Sequence, residues 1–443
     1  MKKDKIVYIF GAGASRAYGM PLQEELLSDI FKLKWVSNVG NSFMELEVPM
    51  NSPNIVALYE IFCVKRLILA EFLIEYFGSE QQKRQLVKIT DRLFFHDKKK
   101  NWEEKFCGMD RNEEDLILKE AVEIKVSLED LFTVFDKAIG GHEHWNGYTP
   151  EKLAYIRGAL NSCIIYTMCY QMDEIKNVSL LDQIGRHFVE KRISVDCESD
   201  NFSILTLNWD TLLEKAIYEV CERSKHHILP DYCFYDYSYK DNEEWIPSTL
   251  LKSNQYYNIK ILKLHGSFNW LVCPRCQRIM VDWHEDISIN ELGGVDANKK
   301  FCRFCKNENE RMDDPILQSL FITPTFLKEL STINIKNIWH NAFIELSEAS
   351  KIVFMGYSFP DADFEFRYLL KKALHPDCKV EVVLVERDSK EYYKNLLKTS
   401  CLPLEKQEEF MWRVNLPCNR YDCFFGPQRV KYYYDGIEGY FKN

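Results

Sequence analysis

The chain has 443 residues, enough for two or three structural units and a sizeable core. With 46% hydrophobic, 28% charged and 14% aromatic residues, it is too apolar for a disordered chain and too evenly charged for a membrane protein. The formal net charge of -10 excludes a protein whose main task is to neutralise a nucleic-acid backbone, and leaves room for a small anionic ligand.

Met1-Lys2-Lys3 precedes a short apolar run at 6–10 that Gly11 and Gly13 break, too short for a secretory signal. That run is the first of five β-rich stretches; the others are 202–207, 259–264, 352–355 and 380–385. Their apolar residues are mostly continuous, the pattern of strands buried on both faces of a parallel sheet, so a doubly wound α/β core is expected. Almost two hundred residues separate the first two strands, far more than one crossover helix needs, and helical patterns at 55–77 and 153–172 mark the stretch as an insertion. Glu60, Lys65, Arg66, Glu71 and Glu75 interrupt the run at 55–77 at near-helical intervals, which points to an amphipathic helix or helix pair and away from a bilayer span. Lys98-Lys99-Lys100 reads as a solvated loop. Ser127 and Asp130 resemble a helix amino-terminal cap before Leu128, Leu131, Phe132 and Phe135.

Each strand end carries residues suited to a site. Gly11-Ala12-Gly13-Ala14-Ser15 follows the first strand, where a loop can cradle a pyrophosphate or simply make a tight turn. Asn208 and Asp210, in Thr206-Leu207-Asn208-Trp209-Asp210, can bind amides and hydroxyls, or form a turn and a helix cap. His265, in His265-Gly266-Ser267, sits at the rim of the same crevice as either a general base or a structural group. Cys273, Cys276, Cys302 and Cys305 form two C-x-x-C knuckles, four thiolates for a closed and therefore structural zinc site. Fifteen cysteines in this arrangement fit a reducing cytoplasm better than a disulfide framework. Gly356-Tyr357-Ser358 ends the fourth strand and Glu386 follows the fifth, where a carboxylate can accept from ribose hydroxyls or belong to a charged loop with Arg387 and Asp388.

In this order the motifs resemble the sirtuin family, over residues 5–21 and about 200–390. The resemblance implies a Rossmann-like NAD-binding core at 1–30, 195–270 and 314–400 and a zinc-ribbon module at 271–313; outside it lie the helical insertion at 31–194 and a tail at 401–443, which Pro403, Pro417 and Pro427 mark as an irregular segment packed on the core. It implies that Gly11, Ala12, Gly13 and Ser15 line the diphosphate and that Asn208 and Asp210 hold the nicotinamide ribose and carboxamide. His265 would be the base, with Gly356, Ser358 and Glu386 on the adenosine side; many sirtuins have asparagine where Glu386 stands.

The departures bear on activity. Leu22-Gln23-Glu24 stands where deacylating sirtuins have Asp-Phe-Arg, and Leu207 where they have glutamine. Phe321-Ile322-Thr323-Pro324-Thr325 replaces the Phe-Gly-Glu loop that pairs with the acyl-lysine peptide. The sequence is similar instead to the sirtuin-like domains of bacterial anti-phage defence proteins, including the stretch 356–363. That resemblance implies NAD+ hydrolysis to nicotinamide and ADP-ribose by Asn208 and His265, with a homo-oligomer, a neighbouring defence protein or a phage-derived activator as partner. The net charge of -10 and the charges interrupting 55–77 lead to the expectation of no contact with nucleic acid or membrane. A protein deacylase and a non-catalytic NAD or ADP-ribose sensor are the alternatives.

Overall fold

The computed structural model describes residues 4–33, 53–94, 109–194, 199–223, 228–234, 237–241, 244–248, 252–253, 256–281, 302, 304–305, 317–328, 330, 332–398 and 416–442. Its centre is a sheet of seven strands among those residues: β1 (Ile6–Phe10), β2 (Phe202–Thr206), β3 (Pro230–Asp231), β4 (Ile259–Lys263), β5 (Lys351–Met355), β6 (Lys379–Val383) and β7 (Val430–Tyr433). The order is β7-β6-β5-β1-β2-β4-β3 and every pairing is parallel. All of β2, and β1 from Val7 onward, are buried, because both faces of these central strands are covered; a continuous apolar run is the sequence that such a position requires. The expected α/β core with a parallel sheet is therefore present.

The register positions the site. Phe10 lies opposite both Met355 and Thr206, and Thr206 opposite Lys263, so the four strands end on one line. The segments that begin at Gly11, Leu207, Leu264 and Gly356 leave the sheet together at its carboxyl edge. Strand order reverses between β1 and β5, the switch point where open α/β sheets form their crevice. At the opposite edge, buried Lys5 lies 2.6 Å from Glu345 and 2.9 Å from Asp200, and Lys260 joins the same two carboxylates.

The insertion is helical, as expected. Pro53–Phe77 packs on Pro150–Asp173, and further helices cover Glu80–Phe94, Arg111–Val122, Leu128–Gly140 and Val178–Ile193. Ser127 caps Leu128–Gly140 by accepting from the Asp130 amide at 3.0 Å. From 66 to 74 the first of these helices is buried all round, and polar Arg66 is satisfied inside by the Leu33 carbonyl and Glu114 rather than by solvent. The expected amphipathic stripe is thus replaced by an enclosed helix. Among the described residues no helix is long and apolar enough to cross a membrane. Lys98-Lys99-Lys100 lies outside the described residues.

Two features depart from the sequence reading. The chain leaves β4 through His265 and enters a second, five-stranded sheet at Gly266–Val272, flanked by Gln318–Phe321 and Ile279–Val281. From 416 onward the tail is regular: helix Pro417–Phe425, strand β7 on the edge of the main sheet and helix Gly436–Lys442. Pro417 misled because it is the first residue of a helix, a position where a missing N–H costs nothing.

Candidate active site

A cleft of ≈ 1380 Å³ opens at the carboxyl edge of the sheet, large enough for a dinucleotide. Gly11, Ala12, Gly13, Ser15, Asn208, Asp210, His265, Gly356 and Ser358 all line it. Glu386 does not: it lies exposed at the start of the turn Glu386–Asp388, while its neighbours Arg387 and Asp388 face the cleft.

The floor is two loops in backbone contact. The Gly13 amide donates to the Gly356 carbonyl at 2.7 Å, and a Cβ on Gly13 would sit 2.6 Å from that oxygen. Gly356 has φ +58°, and its Cβ would lie 2.2 Å from the Ala14 nitrogen. Both positions need glycine so that the ends of β1 and β5 can touch. The Gly13 N–H is accordingly engaged within the protein. From the tail, the buried Tyr421 hydroxyl donates to the Tyr357 carbonyl at 2.8 Å and fixes the second loop.

Ser15 joins the next element. Its hydroxyl donates to Asp210 Oδ2 at 2.7 Å and accepts from Asn208 Nδ2 at 2.9 Å, and the same nitrogen donates to the Gly11 carbonyl at 2.9 Å. These bonds leave the Asn208 side-chain oxygen as that residue's free acceptor. Asp210 Oδ1 accepts from the Leu212 amide at 3.3 Å, so Asp210 also caps the helix Leu212–Arg223. Beneath it, fully buried Lys263 donates to the Asp210 carbonyl and to Glu214, both at 2.5 Å.

His265 stands where the chain passes between the two sheets. Gly266 takes φ +78°, and a Cβ there would be 2.2 Å from the Leu320 carbonyl, so glycine fixes the turn that presents the imidazole. The ring bonds to the Leu207 backbone, and Nε2 is buried without a hydrogen-bond partner. Asp363 Oδ1 is 3.7 Å from Nε2; Lys328 Nζ lies 2.5 Å from that same oxygen, and Tyr357 donates to Oδ2 at 2.8 Å. Burial, and then Lys328, lower the His265 pKa to about 4 against the opposing pull of Asp363. Burial alone would raise Asp363, yet His265, Lys328 and the Tyr357 bond hold it below the usual carboxylate value.

The imidazole is therefore neutral near pH 7. Because an unfolded His binds its proton at 6.5 and the folded one at about 4, the group's contribution to stability is complete above pH 6.5 and is lost as the pH falls toward 4. The loss totals about 3 kcal/mol. Denaturant titrations of His265→Gln at neutral pH and near pH 4 should show the acid destabilisation reduced by about that amount relative to the parent chain.

The four cysteine sulfurs lie within 4.8 Å of one another, with Cys273–Cys305 at 3.9 Å and Cys276–Cys302 at 3.7 Å. Tetrahedral Zn–S bonds of about 2.3 Å demand S···S separations near 3.8 Å, so the cluster is compatible with a structural zinc.

The strand-end residues picked from sequence, Glu386 apart, thus meet in one cleft. Lys328 was missed, and nothing in its local sequence marks it. Asp363 ends the stretch 356–363 already noted, but only the fold shows its carboxylate beside His265. Arg387 and Arg420 also line the cleft beyond Tyr357.

A family described as SIR2-like domain matches residues 203–402. Among solved structures, a Sir2 homologue mutant in complex with ADP-ribose is 11% identical, covering 95% of this chain and 94% of that one at a TM-score of 0.30. A Sir2 mutant with a p53 peptide and NAD is 12% identical, with coverages of 86% and 81% and a TM-score of 0.29. A structure described by sirtuin substrate affinity is also 12% identical, with coverages of 86% and 83% and a TM-score of 0.32. No curated protein matches. The match to the SIR2-like domain family falls on residues 203–402, within a parallel sheet whose glycine loop and helical insertion precede the matched span.

Proposed function

We propose that the chain is a NAD+ glycohydrolase that cleaves NAD+ to nicotinamide and ADP-ribose, acting by NAD depletion in bacterial anti-phage defence. The observation that carries this reading is a neutral imidazole with an unengaged Nε2 in the same cleft as the free amide oxygen of Asn208. The N-glycosidic bond breaks with its electron pair going to the pyridinium nitrogen, so nicotinamide leaves neutral and no general acid is needed. A water oxygen bonds to C1′ of the oxocarbenium-like ribose, and the water proton passes to His265 Nε2 directly or through a ribose hydroxyl. Asn208 orients the water or the ribose.

Protein deacylation is the less favoured reading. The segment standing where deacylases pair with their peptide is held by the insertion instead: Arg157 donates to Thr323 Oγ1 at 3.2 Å, and Thr133 Oγ1 lies 3.3 Å from Thr325 Oγ1. Incubating the purified chain with NAD+, with and without the product of its neighbouring gene, and chromatographing the products tests the proposal. Nicotinamide and ADP-ribose in equal amounts are expected; nicotinamide release that requires an acyl-lysine peptide, or binding without turnover, would refute it. A homo-oligomer or a defence partner would hold such an activity in check in the cytoplasm.

The same reading gives the cysteine cluster a structural zinc that ties Cys302 and Cys305 to the strand Gly266–Val272 following His265. Cys276→Ser should reduce the metal content from about one zinc per chain toward zero, with a lowered melting temperature, as read by elemental analysis and calorimetry.

A further inference from the structure

Residues 322–328 form a strap with three anchors. At its start, the Ile322 amide donates to the His265 carbonyl at 2.8 Å, and the Ile322 carbonyl accepts from Trp209 Nε1 at 3.1 Å. Its middle is pinned to the helical insertion: Arg157 donates to Thr323 Oγ1 at 3.2 Å, and Thr133 Oγ1 accepts from the Phe326 amide and lies 3.3 Å from Thr325 Oγ1. At its end Lys328, with 2% of its side chain exposed, reaches Asp363 Oδ1 at 2.5 Å and the Ala362 carbonyl at 3.1 Å.

The contact has an electrostatic cost for the reaction proposed above. The Asp363 oxygen facing the imidazole already holds an ammonium, so a proton arriving on His265 Nε2 would create a second cation at the same carboxylate. Without Lys328, Asp363 would stabilise that imidazolium. The charged groups facing His265 among the described residues are Lys328 from the strap and Asp363 before the helix Phe364–Ala373, with Glu365 4.0 Å behind Lys328.

We propose that Lys328 is a positioning residue that restrains the His265–Asp363 pair, and that the strap carrying it couples the helical insertion to the catalytic imidazole. The inference rests on His265 acting as the base. Movement of the insertion relative to the sheet draws Lys328 away from Asp363 and releases the pair.

The test follows the His265 ring by NMR across the acid-to-neutral range in the full chain, its signals assigned by their loss in His265→Gln. NAD+ turnover is recorded in parallel. In Lys328→Met the ring should titrate about one unit or more higher, and the acid limb of turnover should move with it. Turnover at neutral pH should rise. Asp363→Asn should move the ring titration the other way, and Thr133→Val combined with Arg157→Met should reproduce the Lys328→Met shift in part. Lys328→Gln, which keeps a donor for Ala362 but no charge, replaces the methionine variant if that fails to fold. A folded Lys328 variant whose His265 titrates as in the parent overturns the coupling. A shifted titration in a chain that never consumes NAD+ upholds the coupling and removes the hydrolase reading, so the two failures are distinguishable.

Discussion

His265→Ala is expected to lower NAD+ turnover by about 10²- to 10⁴-fold, the range that general-base help supplies, with affinity for the dinucleotide nearly unchanged. The argument depends on where the lone pair of Nε2 lies. The ring's other contact is with the Leu207 backbone, and the surrounding burial keeps the imidazole neutral, so at pH 7 Nε2 is unprotonated and not engaged within the protein. Asn208→Ala should fall in the same direction and in addition loosen the glycine loop, because Asn208 Nδ2 ties Gly11 to Ser15. Single-turnover kinetics and calorimetry on both variants separate the two roles: a loss confined to the chemical step for His265, and a loss shared between binding and chemistry for Asn208. Parental turnover in both would remove them from the reaction.

Gly356→Ala is expected to act on structure and binding together. The added methyl group would meet the Ala14 nitrogen at 2.2 Å on one side of the switch point, and the backbone there already takes φ +58°. Neither partner is a flexible side-chain end, so the loops after β1 and β5 must separate. Such overpacking costs about 1–3 kcal/mol of stability. The larger effect is on the ligand, because the parted loops form the cleft floor. Calorimetric titration with NAD+ should show affinity falling at least about tenfold while the circular-dichroism spectrum stays that of the parent. Unchanged affinity would mean that the glycine contact serves packing alone.

Much of the core was readable because β1, β2 and β5 are central strands, and burial on both faces demands the mostly apolar runs that mark them. Residues at their ends then converge by geometry, since parallel strands in register finish on one edge. What escaped reading lies at the margins or depends on long-range contact. Strand β3 has two residues, too few for any pattern, and β7 alternates as an edge strand beside a proline-bearing helix. Lys328 is an ordinary lysine until the fold places Asp363 beside it. Glu386 was placed by analogy to a strand-end carboxylate, but the turn it begins faces it outward and offers Asp388 instead.

The position of β1 at the middle of the sheet has a consequence for biosynthesis. Ile6 is flanked by Phe202 and Lys351, so β1 is made before both of its neighbours and is enclosed only when the later one arrives. At about 5–20 residues per second, its second neighbour arrives after a wait on the order of tens of seconds. Until β2 is made the apolar stretch Ile6–Phe10 has unsatisfied edges on both sides, and from then until β5 follows it has one, while the intervening helices can assemble among themselves through local contacts. The nascent protein should therefore need chaperone shelter around β1, and should yield poorly when translation outpaces that protection.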